Sequence, residues 1–202
     1  MTDSGYQLHI LRPGWSKRSG SDLYSGCTIS LLTGPRNILV DPGSPWDTEL
    51  VLRLLGEHDL RFGDIDYLVC THEHVDHLGS MDRFTNAIHI IGTSIYKNQP
   101  IEHDFGSYIP YEIDSYISVV HTPGHTPHDV SVICENIAPY GCVAITGDLF
   151  ECEADLNDPQ IWQKSSWRKQ IQVSFRLGIL EKANLIVPGH GNAFQVSYNL
   201  LH

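Results

Sequence analysis

Residues 71–79 read Thr-His-Glu-His-Val-Asp-His-Leu-Gly, so that four metal-ligand side chains, His72, His74, Asp76 and His77, fall within six positions. The motif directly follows the apolar run 65–70 (Ile-Asp-Tyr-Leu-Val-Cys), which reads as a buried strand. A loop leaving the end of a strand can aim alternate residues at one concave site. His72 and His74 can then converge on one ion while Asp76 and His77 reach a second beside it. Imidazole with carboxylate suits zinc, iron or manganese rather than calcium or magnesium. The bland alternative is a histidine-rich surface loop. Against it stand three later strands that each end in a candidate ligand: His125 after Thr-Pro-Gly, Asp148 after Thr-Gly, and His190 between two glycines. Glycine beside a ligand lets the backbone approach a crowded site and adopt dihedrals closed to other residues. Each motif alone is weak, but together they are a strong signal.

The elements that must hold these residues follow from periodicity and turn chemistry. Strands are expected over 6–11, 27–32 and 37–40, the last two joined at Thr33-Gly34-Pro35-Arg36, with 12–25 as a loop. Leu50, Val51, Leu54 and Leu55 recur at helical spacing, which predicts a helix over 46–57 packed on a sheet. A short helix near 80–84 and a strand over 87–91 come next. The stretch 93–116 has little periodicity and is expected to supply the loops that frame a cleft. Strands over 117–120, 130–134, 142–145 and 185–187 complete the set. The longest helical region, broken or bent, spans 158–183, with apolar positions at Ile161, Trp162, Trp167, Ile171, Phe175 and Ile179. Two packed sheets with outer helices account for this order, although periodicity alone fits other α/β arrangements equally well.

At 202 residues the chain fits one domain, 1–202. Its formal net charge is −11 and no basic block or stripe appears, which argues against indiscriminate nucleic-acid binding. Five dispersed cysteines without a CxxC fit a reduced intracellular protein. No signal sequence or membrane-spanning run is visible, so a cytoplasmic location is the expectation, with the nucleus as a second compartment.

From Asp41 to His190 the sequence resembles the metallo-β-lactamase superfamily in all five of its motifs. The resemblance implies an αβ/βα sandwich of two packed mixed sheets with outer helices and the site at one edge. It assigns His72, His74 and His125 to a first metal ion, Asp76, His77 and His190 to a second, and Asp148 as the bridge. The implied cofactors are two Zn²⁺, with Fe or Mn as alternatives. Asp41 matches an early aspartate that braces the ligand loop from outside the metal sphere, against the plain reading of a turn residue before Pro42-Gly43. The stretches Ile38-Leu39-Val40-Asp41 with Pro45-Trp46, Asp129-Val130-Ser131-Val132, and Phe150-Glu151 resemble a small branch allied to glyoxalase II. That branch implies endonucleolytic cleavage of RNA of the histone pre-mRNA 3′-end type, and leaves a homodimer open.

Two cations about 3.5–4 Å apart lower the pKa of a bridging water towards neutrality, and the resulting hydroxide attacks carbonyl or phosphorus alike. Asp76 is a candidate to orient that nucleophile or return a proton, and His128, three residues past His125, is a weaker candidate to touch substrate or donate one. His121 reads as structural. The acidic residues Glu151, Glu153 and Asp155 read as a solvated loop bordering the site, and Cys152 as a weak redox candidate. Lys97, Lys164 and Arg168 are candidate rim cations. Hydrolysis of RNA phosphodiesters leads. A glyoxalase II-like thioesterase or lactonase follows, then a non-haem iron oxygenase of the persulfide dioxygenase type. A metal-binding module without catalysis comes last, because all seven ligand positions are filled.

Overall fold

Leu31 and Leu32, Leu39 and Val40, and Leu68 and Val69 are neighbours in sequence yet pack into different cores. Pleating turns successive side chains to opposite faces of a strand, so a strand with apolar residues at every position must be covered on both sides. The structure, a computed structural model describing residues 4–20 and 22–197, shows what covers them.

Strand β1 (Gln7–Arg12) is followed by a ribbon of β2 (Trp15–Ser19) and β3 (Asp22–Gly26) that pair only with each other. The chain then enters β4 (Ile29–Thr33) and β5 (Ile38–Val40), α1 (Thr48–Gly56), and β6 (Tyr67–Cys70), β7 (Ile88–Ile91), β8 (Ser94–Lys97) and β9 (Gln99–Ile101). These form a seven-stranded sheet in the order β1-β4-β5-β6-β7-β8-β9, parallel from β5 to β7 and antiparallel elsewhere. The second, six-stranded sheet runs in chain order: β10 (Tyr111–Glu112), β11 (Ile117–His121), β12 (Val130–Ile137), β13 (Gly141–Gly147), β14 (Leu185–Pro188) and β15 (Phe194–Gln195). Only β13 and β14 pair in parallel there. Helices α2 (Gln160–Gln163) and α3 (Lys169–Lys182) lie between those two strands in sequence.

Leu32, Val40 and Val69 from the first sheet meet Val119, Val132, Ile145 and Val187 from the second in the central core. On the outside, Val51 and Leu55 of α1 cover Leu31, Leu39 and Leu68. Ile179 and Leu180 of α3 cover Ile133, Ala144 and Ile186. The layers are therefore helix, sheet, sheet, helix, the expected αβ/βα sandwich. Among the described residues no helix is long and apolar enough to cross a membrane.

Two expectations need correction. Residues 12–25 are not a loop: they contain the β2–β3 ribbon, in which Trp15 pairs with Gly26 and Lys17 with Tyr24. Its residues are almost all exposed, so no apolar alternation betrays it. Residues 93–116 do not frame the cleft: they hold β8, β9 and β10 at sheet edges, and none of them lines it. Short edge strands with polar residues and a proline, as at Pro100, give little periodic signal.

Candidate metal centre

The residue after β6 sets the ligand loop. Thr71 donates its backbone N–H to Asp41 Oδ1 at 2.7 Å and its hydroxyl to Asp41 Oδ2 at 2.9 Å. Asp41 ends the neighbouring strand β5, is buried, and takes a left-handed φ of 53°. Its Oδ2 also lies 2.9 Å from His77 Nδ1. A ring that donates Nδ1–H to a carboxylate presents Nε2 as a lone-pair donor on its other side. Asp41 is thus both the turn residue and the brace. A one-turn 3₁₀ helix, Val75–His77, brings Asp76 and His77 round to the site, while Glu73 and Val75 point to solvent.

From the second sheet, β13 delivers Asp148 and β14 delivers His190. Gly147, with φ of 50°, lies so close to Thr71 that a Cβ would come within 2.2 Å of the Thr71 hydroxyl. A Cβ at Gly189 would sit 1.8 Å from Asp148 Oδ1. The two sheets close on the site only because these positions lack side chains.

The donors converge. His74 Nδ1 lies 2.9 Å from His72 Nε2 and 3.0 Å from His125 Nε2. Asp148 Oδ2 is 3.7 Å from His72 Nε2, 3.4 Å from His125 Nε2 and 3.2 Å from His190 Nε2, and its Oδ1 is 3.4 Å from His77 Nε2. His72, His74, His125 and Asp148 offer donor atoms all within 4.8 Å of one another, and so do Asp76, His77 and His190. His77 Nε2 and Asp148 Oδ1 are buried without a hydrogen-bond partner, a costly state for polar atoms unless something else binds them. Three imidazole nitrogens crowding one point cannot all be satisfied by shared protons. The set fits divalent metal.

The electrostatics agree. Burial alone would raise the Asp148 carboxyl, but the charges of His77 and His190 hold it well below the usual range. Burial depresses His77, yet Asp41 and Asp148 lift it well above the ordinary imidazole value. His190 is likewise raised to about 9, by Asp148 against burial. His72 and His125 are lowered, chiefly by burial.

A cleft of about 630 Å³ opens over these donors, bounded by the ribbon (Ser16, Lys17, Arg18, Ser25) on one side and by Glu151, Cys152, Ile161, Lys164 and Ser165 on the other. Ser25 donates a 2.8 Å hydrogen bond to Asp76 Oδ2, tying the ribbon to the ligand loop. Helix α3 supports the far side. Gln172 Nε2 donates to the Asp148 and Leu149 carbonyls, both at 3.2 Å. Arg176 donates to the Leu149 carbonyl at 2.8 Å and to both Asp155 oxygens, at 3.0 and 2.5 Å.

The structure therefore brings together His72, His74, Asp76, His77, His125, Asp148 and His190. It does not bring His128 into the cleft lining: the turn closed by Thr126 and Asp129 holds that ring exposed, 3.4 Å from Thr93 Oγ1. His121 is bonded to the Pro127 carbonyl at 3.0 Å. Of the rim cations, Lys164 lines the cleft, while Arg168 lies over the Trp167 ring and Lys97 donates to the Asn86 carbonyl. The acidic run is not one solvated loop. Asp155 is buried against Arg176, Glu151 enters the cleft, and only Glu153 is exposed. Burial raises the Cys152 thiol, which weakens a redox role. Lys17, Arg18 and Glu151 are charged cleft residues that the ligand motifs did not announce.

A fold of two mixed sheets with a histidine–aspartate centre at their edge defines a metallo-β-lactamase-type metal-dependent hydrolase. The chain belongs to the metallo-beta-lactamase superfamily, whose sequence profile matches residues 25–117. It is 34% identical over 197 residues to metallo-beta-lactamase domain-containing protein 1 of Xenopus laevis, covering 96% of this chain and 83% of that one. It is 28% identical to a probable metallo-hydrolase of Methanocaldococcus jannaschii, over 80% of this chain and 85% of that one. Among solved structures it is similar to a probable metal-dependent hydrolase from Staphylococcus aureus, with TM-score 0.71, 16% identity, and coverage of 99% and 95%.

Proposed function

We propose that the protein is a dinuclear zinc hydrolase that cleaves phosphodiester bonds in single-stranded RNA. The observation that carries this reading is the cleft mouth. Lys17, Arg18 and Lys164 gather there in a chain whose net charge is −11. Cations concentrated at one opening of an acidic molecule favour an anionic substrate at that opening and repel it elsewhere.

In this reading His72, His74 and His125 would hold one ion and Asp76, His77 and His190 the other, with the Asp148 carboxylate between the two groups. The ions, when bound, supply Lewis acidity and an activated water. Asp41 and the Gly26 carbonyl, 3.3 Å from His190 Nδ1, fix the tautomers of His77 and His190. Asp76, steadied by Ser25, orients the attacking water or returns its proton to the leaving oxygen. Lys17, Arg18 and Lys164 orient the phosphodiester.

The test compares wild type, H74A and a K17A/R18A/K164A variant on single-stranded RNA and on a generic thioester, with elemental analysis of each protein. H74A should abolish RNA cleavage, and the triple variant should raise the KM for RNA by about tenfold or more while changing thioester turnover little. RNA cleavage that survives H74A would be a contaminant's. Thioester turnover exceeding RNA cleavage by orders of magnitude would replace the reading with a thioesterase. Stoichiometric iron would replace it with an oxygenase.

A further inference from the structure

We propose that Glu151 is an eighth ligand, completing the coordination of the second metal ion. The inference rests on the dinuclear ligand set proposed for the hydrolase. Asp148, Glu151 and His190 offer donor atoms all within 4.8 Å of one another, a triangle that shares Asp148 with one motif-marked group and His190 with the other and adds Glu151. The chain builds it deliberately. Leu149 and Phe150 donate their N–H groups back to the Thr146 and Gly147 carbonyls, both at 3.3 Å, which coils the segment after β13 tightly. The Glu151 carbonyl accepts the His190 N–H at 2.8 Å and the Phe150 carbonyl accepts that of Gly189 at 2.9 Å, which locks Glu151 alongside His190.

The side chain is aimed as well. Ser165, on the same wall of the cleft, donates to Glu151 Oε1 at 2.8 Å. The Glu151 N–H is held at 2.7 Å by Asp155, itself anchored on Arg176 between the Phe150 and Trp162 rings. A second observation points to a cation beside this group: Asp148 is 95% buried (5% exposed) and its Oδ1, 3.4 Å from the equally unpartnered His77 Nε2, has no hydrogen-bond partner. Charge supports the assignment. Two divalent ions would face only Asp76 and Asp148 as charged ligands, and a third carboxylate brings the ligand charge closer to balance. A further oxygen donor also shifts the second position towards harder metals such as manganese.

The experiment titrates metal-free wild type, E151Q and S165A with Co²⁺, following the visible absorption of each site, with thermal melts alongside. Wild type should bind two ions. E151Q should bind the first ion as wild type does and the second about ten- to a hundredfold more weakly, and S165A should weaken the second ion less. Equal weakening of both ions, or wild-type affinity at both, overturns the assignment. Should E151Q fail to fold, E151D, which withdraws the carboxylate by one methylene, is judged by the same two outcomes. If wild type itself binds fewer than two ions, the dinuclear reading fails first, which separates the two failures.

Discussion

The Asp148 carboxylate lies within 3.7 Å of four imidazole nitrogens, and no other side chain in the site faces both ligand groups. A carboxylate between two cations sets their spacing and offsets their repulsion, so D148N should empty at least one metal position and lower RNA turnover by more than about a hundredfold. Its effect without metal has a definite pH signature. The folded His190 titrates at about 9 rather than 6.5, because Asp148 favours its cation. A raised histidine pKa means that the pair's stabilising contribution is fully present below the unfolded value and is lost as pH rises through the folded one. Thermal melts of chelator-treated wild type should therefore fall between about pH 6.5 and 9, and those of D148N, which keeps only the Asp41–His77 pair, should fall less. Metal affinity runs the other way, since a ligating imidazole must be neutral. A metal-free stability that is flat over this window would show that Asp148 does not hold His190 as drawn.

At the level of elements, α3 does two jobs, and the second was hidden. Ile179 and Leu180 pack on the sheet, as an amphipathic stripe should, but Gln172 and Arg176 are also buried, at 0% and 6% exposure. They turn inward to hold the backbone of Asp148 and Leu149 and the carboxylate of Asp155. Leaving Asp155 buried and unpaired costs about 3–5 kcal/mol, so R176A should lower the melting temperature by roughly 10 °C. It should also loosen the Glu151 segment, and a melting point within a degree of wild type would refute the role. The apolar positions expected over 158–183 do not all lie on this helix: Ile161 belongs to α2, where it lines the cleft, Trp167 to the connection between the helices, and both are exposed. Strands buried on both faces, such as β5, β6 and β14, were legible from their unbroken apolar runs. The β2–β3 ribbon was not, since its strands bury little and pair only with each other.

Across the whole molecule, seven donors separated by up to 118 residues meet at one edge of the sandwich, counting from His72 to His190. They could be read in advance because each stands in a segment leaving a strand end, three of them beside a glycine. Lys17 and Arg18 could not, for a pair of cations in a polar stretch looks like ordinary surface until the ribbon carries it to the rim of the cleft. That placement sets how the protein should respond to salt. Each phosphate neutralised on a single strand contributes about −0.7 to the slope of log affinity against log salt concentration. Three cations at the cleft give a slope of about −2, shallow for a nucleic-acid enzyme, since a net charge of −11 leaves no wider basic surface to add to it. K17A/R18A should flatten the slope to about −0.7 and weaken binding, while K97A, whose lysine is engaged with the Asn86 carbonyl, should leave both unchanged. Fluorescence anisotropy of a labelled single-stranded RNA over a salt series measures all three. A wild-type slope much steeper than −2 would mean that RNA lies along a surface other than this cleft, and a slope that K17A/R18A leaves untouched would remove the ribbon from substrate binding.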